Sequence, residues 1–308
     1  MKVVVTGGAG FIGSHLVKGL LECGADVYVI DNLSSGSAER VDLNASLYVE
    51  DIRFAKTRRI IRAIKPDIVY HLAAQADVQR SIENPVTDAA VNVTGTLNML
   101  EACRGSGVRK IIFASTSGVY GDLQKETITE DDPAVPISYY GLSKLTAERY
   151  IRLYHHFFGL NYTILRFGNV YGPGQTAKGE GGVIANFIER TVKGLPLSIN
   201  GDGWQTRDFI YVGDVVSANL AAAFRGDGET LHVSTGQRTS INRLVELLRQ
   251  LHPSEIPVVH RAAKPGDILH SCLSSERTRE ALQWEPVTGM ERGMEATYRY
   301  WMEKASFR

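Results

Sequence analysis

The amino-acid sequence predicts an α/β fold, a doubly wound parallel sheet with a smaller C-terminal α/β lobe. Two observations carry this expectation. Short runs rich in Val and Ile alternate with segments of helical periodicity from the start of the chain, and a glycine-rich turn joins the first run to the first helix. The runs fall at 3–6, 26–30, 47–51, 68–72, 111–115 and 162–167. They are apolar on both faces, as the strands of a parallel sheet covered on each side by helices must be. The stretches between them are long enough for crossover helices, placed at 14–23, 55–64, 86–105 and 140–158. The last two are long and apolar on more than one face, so a homodimer through a four-helix arrangement is expected. After residue 172 the chain becomes glycine-rich (Gly172, Gly174, Gly179, Gly181, Gly182, with Pro173), which reads as the entry to the second lobe. The division predicted is therefore 1–172 for the main domain and 173–308 for the lobe. In the lobe a helix at 183–192, a strand at 197–200 and segments at 256–260 and 274–282 are expected. Segments near 205–235, notably 209–212 and 231–233, are expected to return to the main sheet, interleaving the two parts.

Composition bounds the class. The chain has 308 residues, 44% hydrophobic and 22% charged, enough for one large α/β domain with a lobe attached. Its 34 basic and 34 acidic residues cancel, which leaves no electrostatic case for nucleic acid or an anionic membrane as partner. The basic run Arg53, Lys56, Arg58, Arg59, Arg62, Lys65 is read as the solvated face of an amphipathic helix. No apolar run approaches the roughly 20 residues that span a bilayer. The chain passes from Met1 and Lys2 directly into Val3, Val4 and Val5, so no signal peptide is expected. Three scattered cysteines, Cys23, Cys103 and Cys272, suit a reducing cytoplasm and neither a disulfide framework nor a metal site.

Three features carry chemistry. Gly7, Gly10 and Gly13, with Phe11 and Ile12 between them, follow the first strand and open the first helix. A dinucleotide pyrophosphate needs backbone N–H groups at a helix N-terminus and no side chains in its path, and this turn supplies both. Asp31 closes the second strand, where a carboxylate can accept both hydroxyls of an adenosine ribose and repel a 2′-phosphate, so NAD is expected and not NADP. A plain strand-end turn beside Asn32 is the alternative for Asp31. Finally, Tyr140 and Lys144 stand four apart in a helix, which puts an ammonium beside a phenol. A cation at that distance lowers a phenol's pKa by roughly 1 to 3, making Tyr140 a candidate general base, although the pair alone also fits an exposed helical face.

With these motifs, the sequence resembles the extended short-chain dehydrogenase/reductase superfamily, and most closely the UDP-glucose 4-epimerase family. The resemblance covers nearly the whole chain. It is carried by the glycine loop; Asp31-Asn32-Leu33-Ser34-Ser35-Gly36; Asp51-Ile52; His71-Leu72-Ala73-Ala74; and Asn92 before Gly95-Thr96. Beyond these come Ser115-Thr116, Val119-Tyr120-Gly121, Tyr140 with Lys144, 166–172, Arg207-Asp208-Phe209 and Gly266-Asp267. It implies a Rossmann domain, NAD as cofactor and a UDP-sugar as substrate. Asn32, Ser35 and Gly36 are then expected at the cofactor, Asp51 and Ile52 at the adenine, and Leu72, Ala73 and Ala74 where a strand end approaches the dinucleotide. Asp51 also fits a turn residue. Asn92 is expected at the cofactor too, with a helix-interior polar role as the alternative, whereas His71 reads as a buried strand-end residue. Lys144 is expected to bond the nicotinamide ribose and tune Tyr140, and Thr116 to donate to the reacting sugar oxygen as charge develops.

For the substrate end, the resemblance implies Arg207 and Lys264 at the diphosphate, Asn169 at the phosphosugar and Asp267 at the uridine ribose. An ion pair with Asp208 is the alternative for Arg207. Two departures bear on specificity. Ser117 and Gly118 follow Thr116 where related dehydratases and decarboxylases carry acids, which leaves proton and hydride transfer as the chemistry. Ser271 stands four after Asp267, where epimerases restricted to unmodified hexoses have a tyrosine; a small residue leaves room for an N-acetyl group, unless Ser271 is only a loop residue. Lys264 keeps the charge of a family arginine without its fork, and a family lysine near Ala76 is missing. The expected activity is inversion of the 4-hydroxyl of a UDP-hexose through a 4-keto intermediate. Another sugar-nucleotide oxidoreductase or decarboxylase, or a non-catalytic NAD-binding regulator, is the alternative.

Overall fold

The computed structural model describes residues 1–177, 182–263 and 268–306. The first half is built as alternating strands and helices: β1 (Lys2–Thr6), α1 (Phe11–Glu22), β2 (Asp26–Asp31), β3 (Ser46–Val49), α2 (Ala55–Ile64), β4 (Ile68–His71). Next come α3 (Val78–Glu83), α4 (Pro85–Ala89), α5 (Thr96–Arg104), β5 (Lys110–Thr116), α6 (Tyr139–Phe158), β6 (Asn161–Phe167) and β7 (Asn169–Tyr171). The remainder holds α7 (Val183–Val192), β8 (Leu197–Asn200), β9 (Thr206–Arg207), β10 (Phe209–Tyr211), α8 (Val212–Ala222), β11 (Glu229–Val233), β12 (Thr239–Ser240), α9 (Ile241–Leu251), β13 (Val258–Arg261), α10 (Glu276–Leu282) and α11 (Met290–Ser306).

Seven strands form one sheet in the order β3-β2-β1-β4-β5-β6-β11, with every neighbouring pair parallel. The alternation in the sequence has this cause: both faces are covered. Val3, Val5, Val27, Val29 and Ile112 point to the side packed by α1, α8 and α10, while Val4, Ile30, Val69, Ile111 and Phe113 point to the side packed by α2, α5 and α6. Burying each such side chain contributes about 1.5–3 kcal/mol. The strand order reverses between β1 and β4, and a crevice opens outside the carboxyl ends of the strands at such a switch point.

Segment 231–233 lies within β11, which pairs with β6 at the sheet edge. Segment 209–212 behaves differently from its expectation. Its strand β10 pairs in parallel with β7 in a separate two-stranded sheet, because β7 has already left the main sheet after Phe167 and carries its partner away. A third apolar cluster, with Phe187, Leu197, Phe209, Leu244 and Met294, sits under α7, α9 and α11.

The helix expected at 86–105 is interrupted. Residues Ala90–Gly95 form a π turn between α4 and α5. It rotates Asn92 into a buried polar pocket, and Gly95 accommodates the contact with α2's approach, since a Cβ there would lie 2.6 Å from the Ile52 Cδ1. On α2 the basic residues Lys56, Arg59 and Arg62 are exposed, as a solvated face requires.

Candidate active site

The crevice is a cleft of about 630 Å³ above β1, β2, β4 and β5. One wall is the turn after β1. Gly7 has φ +73° and approaches Ala73 so closely that a Cβ would lie 2.7 Å from the Ala73 amide nitrogen. At Gly13 a Cβ would lie 2.1 Å from the Gly7 carbonyl oxygen, so the first turn of α1 can close onto the loop only with glycine there. Gly10 is the N-cap of α1; it brings no side chain to the first-turn N–H groups, and no acidic residue stands in that turn. The positive end of the helix thus remains available to an anion. Gly7, Gly10, Phe11, Ile12 and Gly13 all line the cleft. These features fit a dinucleotide's pyrophosphate.

At the far end Asp31, Asn32, Ser35, Asp51 and Ile52 line the same cleft. The Asp31 carboxylate accepts from the Ala9 amide (3.0 Å) and the Leu33 amide (2.8 Å), so it both closes the turn and is aimed by it. Its two oxygens keep further lone pairs for ribose hydroxyls. Asp51 is clamped: Arg53 donates through Nε and Nη2 (2.9 and 2.8 Å) and Asn32 through Nδ2 (2.8 Å). The guanidinium beside it holds the Asp51 carboxyl down at about 2. Gly36 does not line the cleft among the described residues. The loop packs tightly here, since a Cβ on Gly36 would lie 2.7 Å from the Ala9 carbonyl oxygen beneath it.

Leu72, Ala73 and Ala74 form the central wall. Behind them runs one hydrogen-bond chain of fixed polarity. The Ala73 amide donates to Thr6 Oγ1 (3.2 Å), which donates to His71 Nδ1 (2.7 Å). His71 Nε2 then donates to Thr96 Oγ1 (3.0 Å), which donates to the Asn92 carbonyl (2.6 Å). This polarity needs neutral His71, and complete burial pushes its imidazole down to about 3. His71 is a strut. Asn92, expected at the cofactor or as a helix-interior polar group, has protein partners behind this wall. Its Oδ1 accepts from the Gln75 amide (2.9 Å), and its Nδ2 donates to the Gln75 carbonyl (2.8 Å) and Ser143 Oγ (3.0 Å).

Tyr140 and Lys144 line the cleft beside Ala114 and Ser115. Ser138 caps α6 by accepting from the Gly141 amide, which sets Tyr140 in the first turn. Lys144 is almost wholly buried; its Nζ donates to the Ala114 carbonyl (2.9 Å) and lies 4.7 Å from the centre of the Phe113 ring. The Thr116 hydroxyl accepts from the Gly118 amide (3.0 Å) at the end of β5, leaving its proton to donate. Thr116 is not itself among the lining residues.

Of the expected substrate residues, Asn169, Arg207 and Ser271 are linked through neighbouring backbone contacts. The Asn169 amide donates to the Asp208 carbonyl (2.7 Å), the Ser271 amide to the Thr206 carbonyl (3.2 Å), and Arg207 lies between those two contacts on β9. The Asp208 carboxylate accepts from Thr235 and the Gly236 amide, and burial pushes its pKa up. Lys264 and Asp267 lie outside the described residues. The structure adds lining residues that were not anticipated: Arg53, Gln75, Ser115, Phe167 and Gln175. A signal existed for Gln75 and Ser115, which adjoin Ala74 and Thr116 in the chain.

The model of the NAD dependent epimerase/dehydratase family matches residues 3–236. The chain belongs to this family. NAD is accordingly its cofactor, and it is an enzyme of the epimerase type. A putative UDP-glucose 4-epimerase of Methanocaldococcus jannaschii is 40% identical over 302 residues, 98% of each chain. The crystal structure of Thermotoga maritima UDP-glucose 4-epimerase with UDP-glucose matches with TM-score 0.95 and 42% identity over 99% of both chains. The UDP-N-acetylglucosamine 4-epimerase of Methanobrevibacter ruminantium, solved with UDP-N-acetylmuramic acid, matches with TM-score 0.94 and 34% identity over 98% of both.

Proposed function

We propose that the protein inverts the 4-hydroxyl of UDP-galactose and UDP-glucose, and of the corresponding UDP-N-acetylhexosamines, through a 4-keto intermediate. The observation that carries this reading is the pairing of Tyr140 with a buried, anchored Lys144 on the cleft wall, next to a β5 end that offers a hydroxyl at Thr116 and no carboxylate at Ser117 or Gly118. NAD, when bound, supplies the hydride acceptor and donor. Tyr140 takes the proton of the 4-hydroxyl and later returns it. Lys144 supports the phenolate with its charge. Thr116 donates to the sugar oxygen as negative charge develops. Asn169, Arg207, Lys264 and Asp267 hold the UDP-sugar while the keto sugar turns. Residues 1–172 with β11 serve as the cofactor domain and the remainder as the substrate lobe.

The sugar reading rests on Ser271, adjacent to Arg207 through the Thr206 backbone. Incubation without added cofactor, with both epimers resolved by chromatography, is expected to interconvert UDP-galactose with UDP-glucose and UDP-N-acetylgalactosamine with UDP-N-acetylglucosamine. Ser271→Tyr is expected to lower turnover of the N-acetyl pair at least tenfold and leave the hexose pair within threefold. Turnover of UDP-galactose alone by the unmodified protein would sink the broader specificity; net NADH formation or carbon dioxide release would sink epimerisation.

A cytoplasmic homodimer fits the same reading. Tyr139, Leu142, Leu153 and Phe157 on α6 and Val78, Ile82 and Val86 on the helices packed beside it are exposed apolar residues. Two copies of such a helix pair make a four-helix contact. Leu142→Asp combined with Leu153→Asp is expected to halve the mass measured by light scattering. An unchanged mass would refute this face as the interface.

A further inference from the structure

Tyr140 and Lys144 are followed on the same face of α6 by Glu148, one more turn along. Glu148 is completely buried. Its Oε1 accepts from Ser115 Oγ (2.5 Å) and Arg166 Nε (2.9 Å), and its Oε2 from Arg166 Nη2 (2.6 Å). Arg166 Nη1 donates to the Tyr120 hydroxyl (2.6 Å), which donates to His232 Nε2 (2.5 Å). His232 Nδ1 donates to the Ser274 carbonyl (2.9 Å). The network therefore joins α6, β5, β6, β11 and the segment before α10 through buried side chains, with the part-exposed Arg152 at its edge, 3.5 Å from Glu148 Oε2.

The contacts on β5 matter most, because they are consecutive. Ala114 gives its carbonyl to Lys144, and Ser115 gives its hydroxyl to Glu148. The strand end is stitched to the helix at two points one turn apart, immediately before Thr116. We propose that Glu148, held by Arg166, is a positioning residue for epimerisation: through Ser115 it fixes the end of β5 against α6 and so sets Thr116 and Lys144 relative to Tyr140. This rests on the reading of Tyr140 as the base. A shared ion pair that only filled space would have no need of the Ser115 hydroxyl. Displacing reacting groups by about 1 Å costs on the order of 10²-fold in rate.

Truncating Glu148 would strand the buried Arg166 charge and endanger the fold, so the test uses Ser115→Ala, which removes one hydroxyl. With UDP-galactose, kcat is expected to fall 10- to 100-fold, while KM and the inhibition constant of UDP stay within twofold and the melting temperature within a few degrees. That split marks an interaction that acts in the transition state. An unchanged kcat, a loss of kcat that follows a large drop in melting temperature, or a raised KM with kcat intact would each overturn the proposal. Tyr140→Phe is measured alongside. An active Tyr140→Phe would refute the base itself; an inactive Tyr140→Phe with a fully active Ser115→Ala would refute only the positioning role.

Discussion

Tyr140→Phe is expected to lower kcat by at least 10²-fold, and up to about 10⁴-fold, with KM for the UDP-sugar within threefold of the unmodified protein. The substitution removes one hydroxyl and keeps the ring. The backbone contacts that place Tyr140, its amide to Ser81 Oγ (3.2 Å) and its carbonyl from Ser143 Oγ (3.0 Å), do not involve that hydroxyl. The fold should persist, and the melting temperature checks it. Among the described lining carboxylates, Asp77 caps α3 by accepting from the Arg80 amide (3.1 Å) and Glu50 pairs with Lys56 (2.7 Å). His71 is locked as a neutral donor and acceptor between Thr96 and Thr6. Glu148 is bound to Arg166 and Ser115. Among the described lining residues, Asp31 and Asp51 stand at the opposite end of the cleft, tied to backbone amides and to Arg53. Epimerase rates measured at saturating UDP-galactose decide the matter, and activity within tenfold of normal would refute Tyr140 as the base.

What the sequence makes legible is local. The glycine turn is readable because strand, turn and helix start are contiguous from Lys2 to Glu22, and each glycine answers to a contact within that segment or with the neighbouring strand end. Tyr140 and Lys144 are readable because four residues of helix bring them to one face. Asp31 is readable because it closes a strand of known direction. The same logic fails where groups distant in sequence meet. Glu148 lies 33 residues from Ser115 and 18 from Arg166, and a Glu, a Ser and an Arg at such spacings carry no pattern. Arg53, read as part of a solvated basic face, instead turns back to clamp Asp51, two residues away, because Asp51 sits past the end of β3 with its carboxylate free to meet it.

Helix periodicity also cannot reveal a π turn. Residues 86–105 look like one helix because the insertion at Ala90–Gly95 preserves the apolar content while rotating Asn92 toward Gln75 and Ser143. The strand at Phe209–Tyr211 (Phe, Ile, Tyr) is as β-prone as a main-sheet strand, but pairing depends on where β7 goes, and β7 follows Gly168, close beneath Asp208. In both cases the tertiary partner, and not the local preference, decides the outcome.

Gly13→Ala is expected to strip the protein of NAD. The added Cβ would stand 2.1 Å from the Gly7 oxygen, 2.8 Å from the Gly7 carbonyl carbon and 2.8 Å from the Gly8 Cα. All three are backbone atoms, so no side chain can rotate away; the turn has to open or α1 has to withdraw. Either movement spreads the N–H groups at the helix start that a pyrophosphate requires. It also disturbs Gly7, whose own approach to Ala73 leaves no slack, a Cβ there being 2.7 Å from the Ala73 nitrogen. Overpacking of this kind typically costs about 1–3 kcal/mol of stability, which a domain with two extensive cores can absorb. The purified variant should therefore remain folded while NAD released on acid denaturation falls below a tenth of that from the unmodified protein, with epimerase activity reduced at least 10²-fold. Gly289→Ala, just before α11, where an added Cβ meets no atom closer than 4.0 Å and the backbone lies outside the left-handed region, is the matched control for a helix-start glycine and should keep its NAD. Full NAD content in Gly13→Ala would show that the pyrophosphate is not held by this turn.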